Sequence, residues 1–178
     1  MRLSAILYIL LSISINGFAQ HSGHAASAKR QPFMERQGKK IVYHLYVTDT
    51  VVNYTTKKAK AVAINGSIPA PTLYFSEGDS AEIQVHNLMH METSIHWHGL
   101  ILPNEQDGVP YLTTAPIHQQ STHVFRFPIV QSGTYWYHSH TMLQEQSGMY
   151  GAIVIQPKQK LPYNDIHNYL LIIKQLED

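Results

Sequence analysis

Gly133-Thr134-Tyr135-Trp136-Tyr137-His138-Ser139-His140 opens as an aromatic-rich β-like run and closes on two histidines two positions apart. Earlier in the chain, His96-Trp97-His98-Gly99 carries the same pairing. On a β-strand, side chains at i and i+2 leave the same face. Two such pairs lying side by side present four imidazoles to one point. Four converging imidazoles are costly to bury unless something binds them, and neutral imidazole suits copper, zinc, iron and nickel. Trp97 points to the face opposite its two histidines, so it is expected in a wall of the fold. Tyr135, Trp136 and Tyr137 are assigned to packing.

Around these runs the chain is a series of short strand-like segments parted by turns. Ile41 to Tyr54 is rich in Val, Tyr, Thr and Ile. Ala61-Val62-Ala63-Ile64 ends in Asn65-Gly66, a hairpin signal. Pro69 and Pro71 break the chain before Leu73-Tyr74-Phe75, and Glu77-Gly78-Asp79 makes another turn. Ala81 to Leu88 alternates, with Ile83 and Val85 on one face, and Thr122 to Phe127 alternates with Val124 opposite Phe125 and Phe127. Met149 to Ile155 completes the series. No segment sustains a helical period. The pattern predicts an all-β, antiparallel Greek-key sandwich over residues 41–157.

The 178 residues are 44% hydrophobic and 14% charged with a formal net charge of +1, the profile of one ordinary domain. Thirteen basic residues face twelve acidic ones without a basic stripe, which argues against nucleic acid as a partner. Arg2, the apolar run Leu3 to Ile15 and the small residues of Gly17-Phe18-Ala19 form a secretory signal pattern, cleaved after Ala19. Export to the periplasm or the extracellular space follows, with no membrane span after cleavage; the competing reading, a membrane anchor, is disfavoured because the run is shorter than the roughly 20 apolar residues a span needs. Residues 20–40 are polar and predict a flexible leader in which His21 and His24 have no fixed role. Residues 158–178 read as a linker through Pro162 and then, at Leu170-Leu171-Ile172-Ile173, either the start of a further domain or a closing edge strand.

Spacing alone leaves the metal open: four imidazoles could hold one zinc or straddle two or three coppers. The motifs are more specific. His96-Trp97-His98-Gly99-Leu100, Asp107-Gly108-Val109-Pro110 and Gly133 to His140 resemble, in order, the amino-terminal cupredoxin (plastocyanin-like) domain of a multicopper oxidase. Leu143-Gln144-Glu145-Gln146-Ser147-Gly148-Met149-Tyr150-Gly151 is most similar to the bacterial copper-resistance oxidases of that family. The resemblance implies that His96 binds the type 2 copper, that His98 and His138 bind one type 3 copper, and that His140 binds the other. It also implies that Asp107 assists proton delivery near the type 2 copper, although a turn residue before Gly108 explains it equally well from sequence.

The chain departs from the family in three ways. It carries only the amino-terminal four of the cluster's histidines, so a carboxy-terminal cupredoxin domain or a separate chain would supply the rest. It has no cysteine, so the type 1 blue copper, which needs a thiolate beside two imidazoles, cannot form in it. Tyr111 and Ala115 stand where the family leads one to expect Gly and Cys. The implied function is the amino-terminal part of an oxidoreductase that couples one-electron oxidation of a reducing substrate, copper(I) or phenol-like, to reduction of O2. The alternative is a non-catalytic exported copper-binding module. His86, His90, His118 and His123 are weak ligand candidates, Met89-His90-Met91 reads as loop or core, and His44 and His167 show no partner pattern.

Overall fold

The computed structural model describes residues 33–53 and 56–159. The expected signal peptide, the leader up to residue 32 and the segment from residue 160 onward, with His21, His24 and His167, lie outside the described residues. Among the described residues there are nine strands, one 3-10 turn and no α-helix, and no helix is long and apolar enough to cross a membrane. The strands are β1 (Met34–Gln37), β2 (Lys40–Val52), β3 (Ala59–Ile64), β4 (Ala70–Ser76), β5 (Ser80–Asn87), β6 (His96–His98), β7 (Thr122–Pro128), β8 (Gly133–His138) and β9 (Tyr150–Gln156). One sheet orders β1-β2-β5-β7, with β3 also on β2, and the other orders β4-β9-β8-β6.

Residues at alternate positions explain the two layers. Ile41, Tyr43, Leu45 and Val47 of β2, Ala81, Ile83 and Val85 of β5, and Phe125 and Phe127 of β7 are buried in one core cluster. Leu73 and Phe75 of β4, Trp97 of β6, Tyr137 of β8, and Ile153 and Ile155 of β9 join the same cluster from the second sheet. Each fully buried large side chain contributes about 1.5–3 kcal/mol. The layers are also bonded directly: Tyr43 on β2 donates its hydroxyl to the Tyr74 carbonyl at 3.0 Å and accepts from the Tyr74 N–H at 2.8 Å. Asn65 (φ 53) and Gly66 (φ 77) supply the two left-handed residues that a tight hairpin turn requires after β3.

The expected all-antiparallel arrangement is corrected in two places. β2 runs parallel to β5, and β4 runs parallel to β9. The consecutive strands β4 and β5 lie in different sheets, so each pairs with a strand distant in sequence. The flexible leader expected through Lys40 also ends early. Met34–Gln37 is β1, paired antiparallel with the start of β2, and Lys40 already belongs to β2. Its polar side chains suit an edge strand, which needs backbone pairing rather than an apolar face. Pro71 does not stop the chain, because it lies inside β4 where the register with β9 shifts between Ala70 and Leu73.

Candidate metal centre

β6 and β8 lie next to each other and antiparallel, so His96 faces His138 and His98 faces Trp136. Trp97 and Tyr137, the residues between, turn inward and are fully buried. Trp97 packs edge-on to Phe125 at 5.2 Å between ring centroids, and against Phe127 and Tyr137. This inward anchor holds the three-residue β6 and forces its histidines onto the outer face. His140 lies beyond the end of β8 and reaches the same place through the chain that follows the strand.

All four imidazoles meet. His96 lies 5.6 Å from His98, 5.6 Å from His138 and 4.9 Å from His140 between ring centroids. His138 lies 5.5 Å from His98 and 4.9 Å from His140. One ligating nitrogen from each of His96, His138 and His140 falls within 4.8 Å of the others. His138 is buried, whereas His98 and His140 are exposed. The nitrogens are divided between the protein and the site. His96 Nδ1 lies 2.8 Å from the Asp107 carbonyl and 3.4 Å from its carboxylate. His138 Nδ1 lies 2.8 Å from the Glu145 carboxylate and 3.1 Å from the Ser139 carbonyl. His138 Nε2 looks inward, 3.3 Å from His98 Nδ1.

The loops behind the ligands are fitted closely. Asp107 follows the 3-10 turn Asn104–Gln106, and its N–H donates to the Asn104 carbonyl at 3.1 Å. Gly108 has φ +84, and a Cβ there would run into the Ile95 carbonyl. Only glycine lets this loop come close enough to lay the Asp107 carbonyl on His96. On the other side, Ser94 Oγ accepts from the His140 N–H at 3.0 Å and from the Thr141 hydroxyl at 2.9 Å. Gln144, also buried, accepts from Thr93 at 2.6 Å and from Ser139 at 2.9 Å, and donates to the Glu92 carbonyl at 2.9 Å.

Burial pushes the His138 imidazole down to about 4, with the neighbouring imidazoles His140 and His96 adding to the shift and Glu145 opposing it. His140 moves the same way, first through partial desolvation and then through His96. A neutral imidazole at pH 7 has a free nitrogen lone pair, the form a metal takes. The donor set therefore fits copper: imidazoles only, at least one held neutral, with ring nitrogens already pinned by oxygens on the far side.

Asp107 directly follows the 3-10 turn, before Gly108, and both its carbonyl and its carboxylate approach His96. Trp136 is not simple packing, for it stacks on His138 at 3.9 Å and 16° and leans on His98 at 5.1 Å. Its shared parity with His138 on β8 was the available signal. Glu145 and Gln144 were visible only as part of a motif and carried no assigned role. Among the weaker candidates, Met89 is core, and Met91 sulfur accepts from Gln144 at 3.5 Å. His44 does have a partner: its Nδ1 lies 3.1 Å from His86 Nε2, with the rings within 4° of parallel, and His86 Nδ1 lies 2.8 Å from the Thr122 hydroxyl. That contact arises from the β2–β5 pairing, which no local pattern announces.

The sequence profile described as multicopper oxidase matches residues 46–160. The chain belongs to the multicopper oxidase family. It is 42% identical over 136 residues to copper resistance protein A of Escherichia coli, covering 76% of this chain and 22% of that protein. It is 46% identical over 103 residues to the multicopper oxidase MCE of Talaromyces pinophilus, covering 57% of this chain and 17% of that one. Among solved structures, a multicopper oxidase from Campylobacter jejuni described as a metallo-oxidase superposes with a TM-score of 0.63 at 35% identity, covering 70% of this chain and 27% of the other. The chain thus spans about a fifth of the length of the curated relatives it matches.

Proposed function

We propose that this chain is the amino-terminal part of an exported, copper-dependent oxidoreductase that couples one-electron oxidation of a substrate to reduction of O2 to water. It contributes half of the ligands of a trinuclear copper cluster. The observation that carries this reading is the convergence of His96, His98, His138 and His140 from two adjacent strands onto one outer face. His96 would hold the type 2 copper, His98 and His138 one type 3 copper, and His140 the other. Copper bound there supplies the one-electron steps that oxygen reduction needs.

The chain's own residues orient and shield. Asp107 fixes the His96 ring through its carbonyl, and its carboxylate, 3.4 Å from the same nitrogen, would assist proton delivery at the edge of the site. Trp136 covers one face of His138 and keeps water from it. The remaining ligands, and a thiolate for a type 1 copper, would come from a further cupredoxin domain or a separate chain, since this sequence has no cysteine. Ile101, Tyr111, Leu112, Met142 and Leu143, all strongly exposed, sit on the loops that also carry Asp107 and Glu145. An apolar rim of that kind suits burial against such a domain. The reducing substrate, copper(I) or phenol-like, is set by the part that carries type 1 copper.

The test is copper per chain after loading and exhaustive dialysis. His96→Ala with His98→Ala should release most of the copper, and unchanged stoichiometry would sink the reading. Oxygen uptake separates the alternative of a stand-alone copper-binding module, which the preassembly of all four imidazoles in this chain favours. That module binds copper and stays silent even when a carboxy-terminal half is supplied in trans, whereas a half-site gains activity.

A further inference from the structure

The geometry points to Glu145 as the positioning residue of His138: its carboxylate takes the Nδ1–H and leaves Nε2 as the nitrogen offered to the metal. This rests on the proposed function only in naming His138 a copper ligand. His138 Nδ1 has two acceptors on the protein side, the Glu145 carboxylate at 2.8 Å and the Ser139 carbonyl at 3.1 Å. Two acceptors and no donor require the proton to sit on Nδ1. A neutral ring carries one such proton, so Nε2, which faces His98 across 3.3 Å, is bare. A carboxylate behind a ligating imidazole fixes the ring's tautomer and raises its basicity.

The carboxylate outweighs the carbonyl. The Glu145 contact is shorter and its acceptor is a carboxylate, and hydrogen bonds to a charged acceptor are roughly twice as strong as neutral ones. Glu145 is also placed by construction. The buried Gln144 amide ties the turn to Thr93, Ser139 and the Glu92 carbonyl. The Glu145 carbonyl accepts from the Gly148 N–H at 3.1 Å, and the Gln144 carbonyl from Met149 at 3.0 Å. His96 is oriented differently, its shortest Nδ1 contact being a main-chain oxygen that survives any side-chain change. Of the two pinned ligands, only His138 takes its short contact from a replaceable side chain.

The experiment is nitrogen-15 NMR of the metal-free full chain at neutral pH, with labelled histidine, beside copper retention of the same samples. His138 is expected as the Nδ1–H tautomer in the wild type. Glu145→Ala should mix the two tautomers and weaken copper retention about 10–100-fold. Glu145→Gln keeps an acceptor oxygen, so it should restore the tautomer and recover only part of the retention. An Nε2–H wild type, or a tautomer unmoved in Glu145→Ala, overturns the proposal. If Glu145→Ala fails to fold, the wild-type tautomer and Glu145→Gln decide it alone. A correct tautomer in a chain that retains no copper would refute the copper reading and leave the positioning role standing.

Discussion

His96 and His138 face each other directly across the β6–β8 pair, with ring centroids 5.6 Å apart and planes at 87°. The site is therefore a matter of strand register. A slip of one residue would send every side chain of β6 to the other face and put Trp97 where the histidines belong. What prevents the slip is the buried indole, not the imidazoles.

Trp97→Ala should accordingly cost about 3–5 kcal/mol in urea unfolding, because it empties the core between Phe125, Phe127 and Tyr137. Copper retention should fall with it, although no ligand has been touched. Trp97→Phe should recover most of the stability, since the indole Nε1 has no hydrogen-bond partner to lose.

Asp107 and Gly108 should separate cleanly. Asp107→Asn keeps the carbonyl that pins His96, so stability should stay within about 0.5 kcal/mol. Gly108→Ala pushes a methyl into the Ile95 carbonyl at a left-handed φ and should cost about 3 kcal/mol or more. Thermal melts of the two metal-free variants measure both.

Acid stability should depend on Glu82. Lys40 at 2.7 Å is the main cause that holds its carboxyl down to about 2 from 4.5, with Arg126 at 3.0 Å and Gln84 assisting and burial opposing. A lowered carboxylate contributes stability that is complete above pH 4.5 and disappears as pH falls toward 2. Both cations are largely solvated, so Glu82→Gln should cost only about 1 kcal/mol at pH 7. The difference from the wild type should shrink through that window, and an equal difference at pH 7 and near pH 2 would contradict it.

Tyr111 holds φ 64, a conformation glycine adopts freely and tyrosine does not. Its hydroxyl donates to Glu92 at 2.6 Å, but the side chain is 76% exposed. Tyr111→Gly should stay within about 1 kcal/mol of the wild type, strain relief offsetting the lost bond and the added chain entropy. Tyr111→Val should lose about 1–2 kcal/mol, because a β-branched residue suits that φ worst. Denaturant midpoints for both variants give the comparison.

Alternation made β5, β7 and β8 legible, since Ile83, Val85, Phe125, Phe127 and Tyr137 fall inward with period two. The same period placed His96 with His98 and Trp97 against them. It also assigned His140 to the same strand face as His138, whereas β8 ends at His138, so the convergence of His140 depends on how the following turn is tied to Ser94. It could not find the parallel pairs, because partners distant in sequence leave no local trace; the His44–His86 contact was hidden for that reason. Glu145 was illegible on similar grounds: a carboxylate in a turn has no periodicity, and only the fold brings it to His138.

The parallel pairing of β4 with β9 joins Ala70–Ser76 to a strand that ends at Gln156. Contacts of that span form slowly, because a long loop must close before it is rewarded. Until β9 arrives, β8 lacks one of its two neighbours. β6, three residues long, is then its only neighbour in the sheet. The four-imidazole face thus depends on β9, a strand that carries none of its histidines, to hold β8 at its second edge.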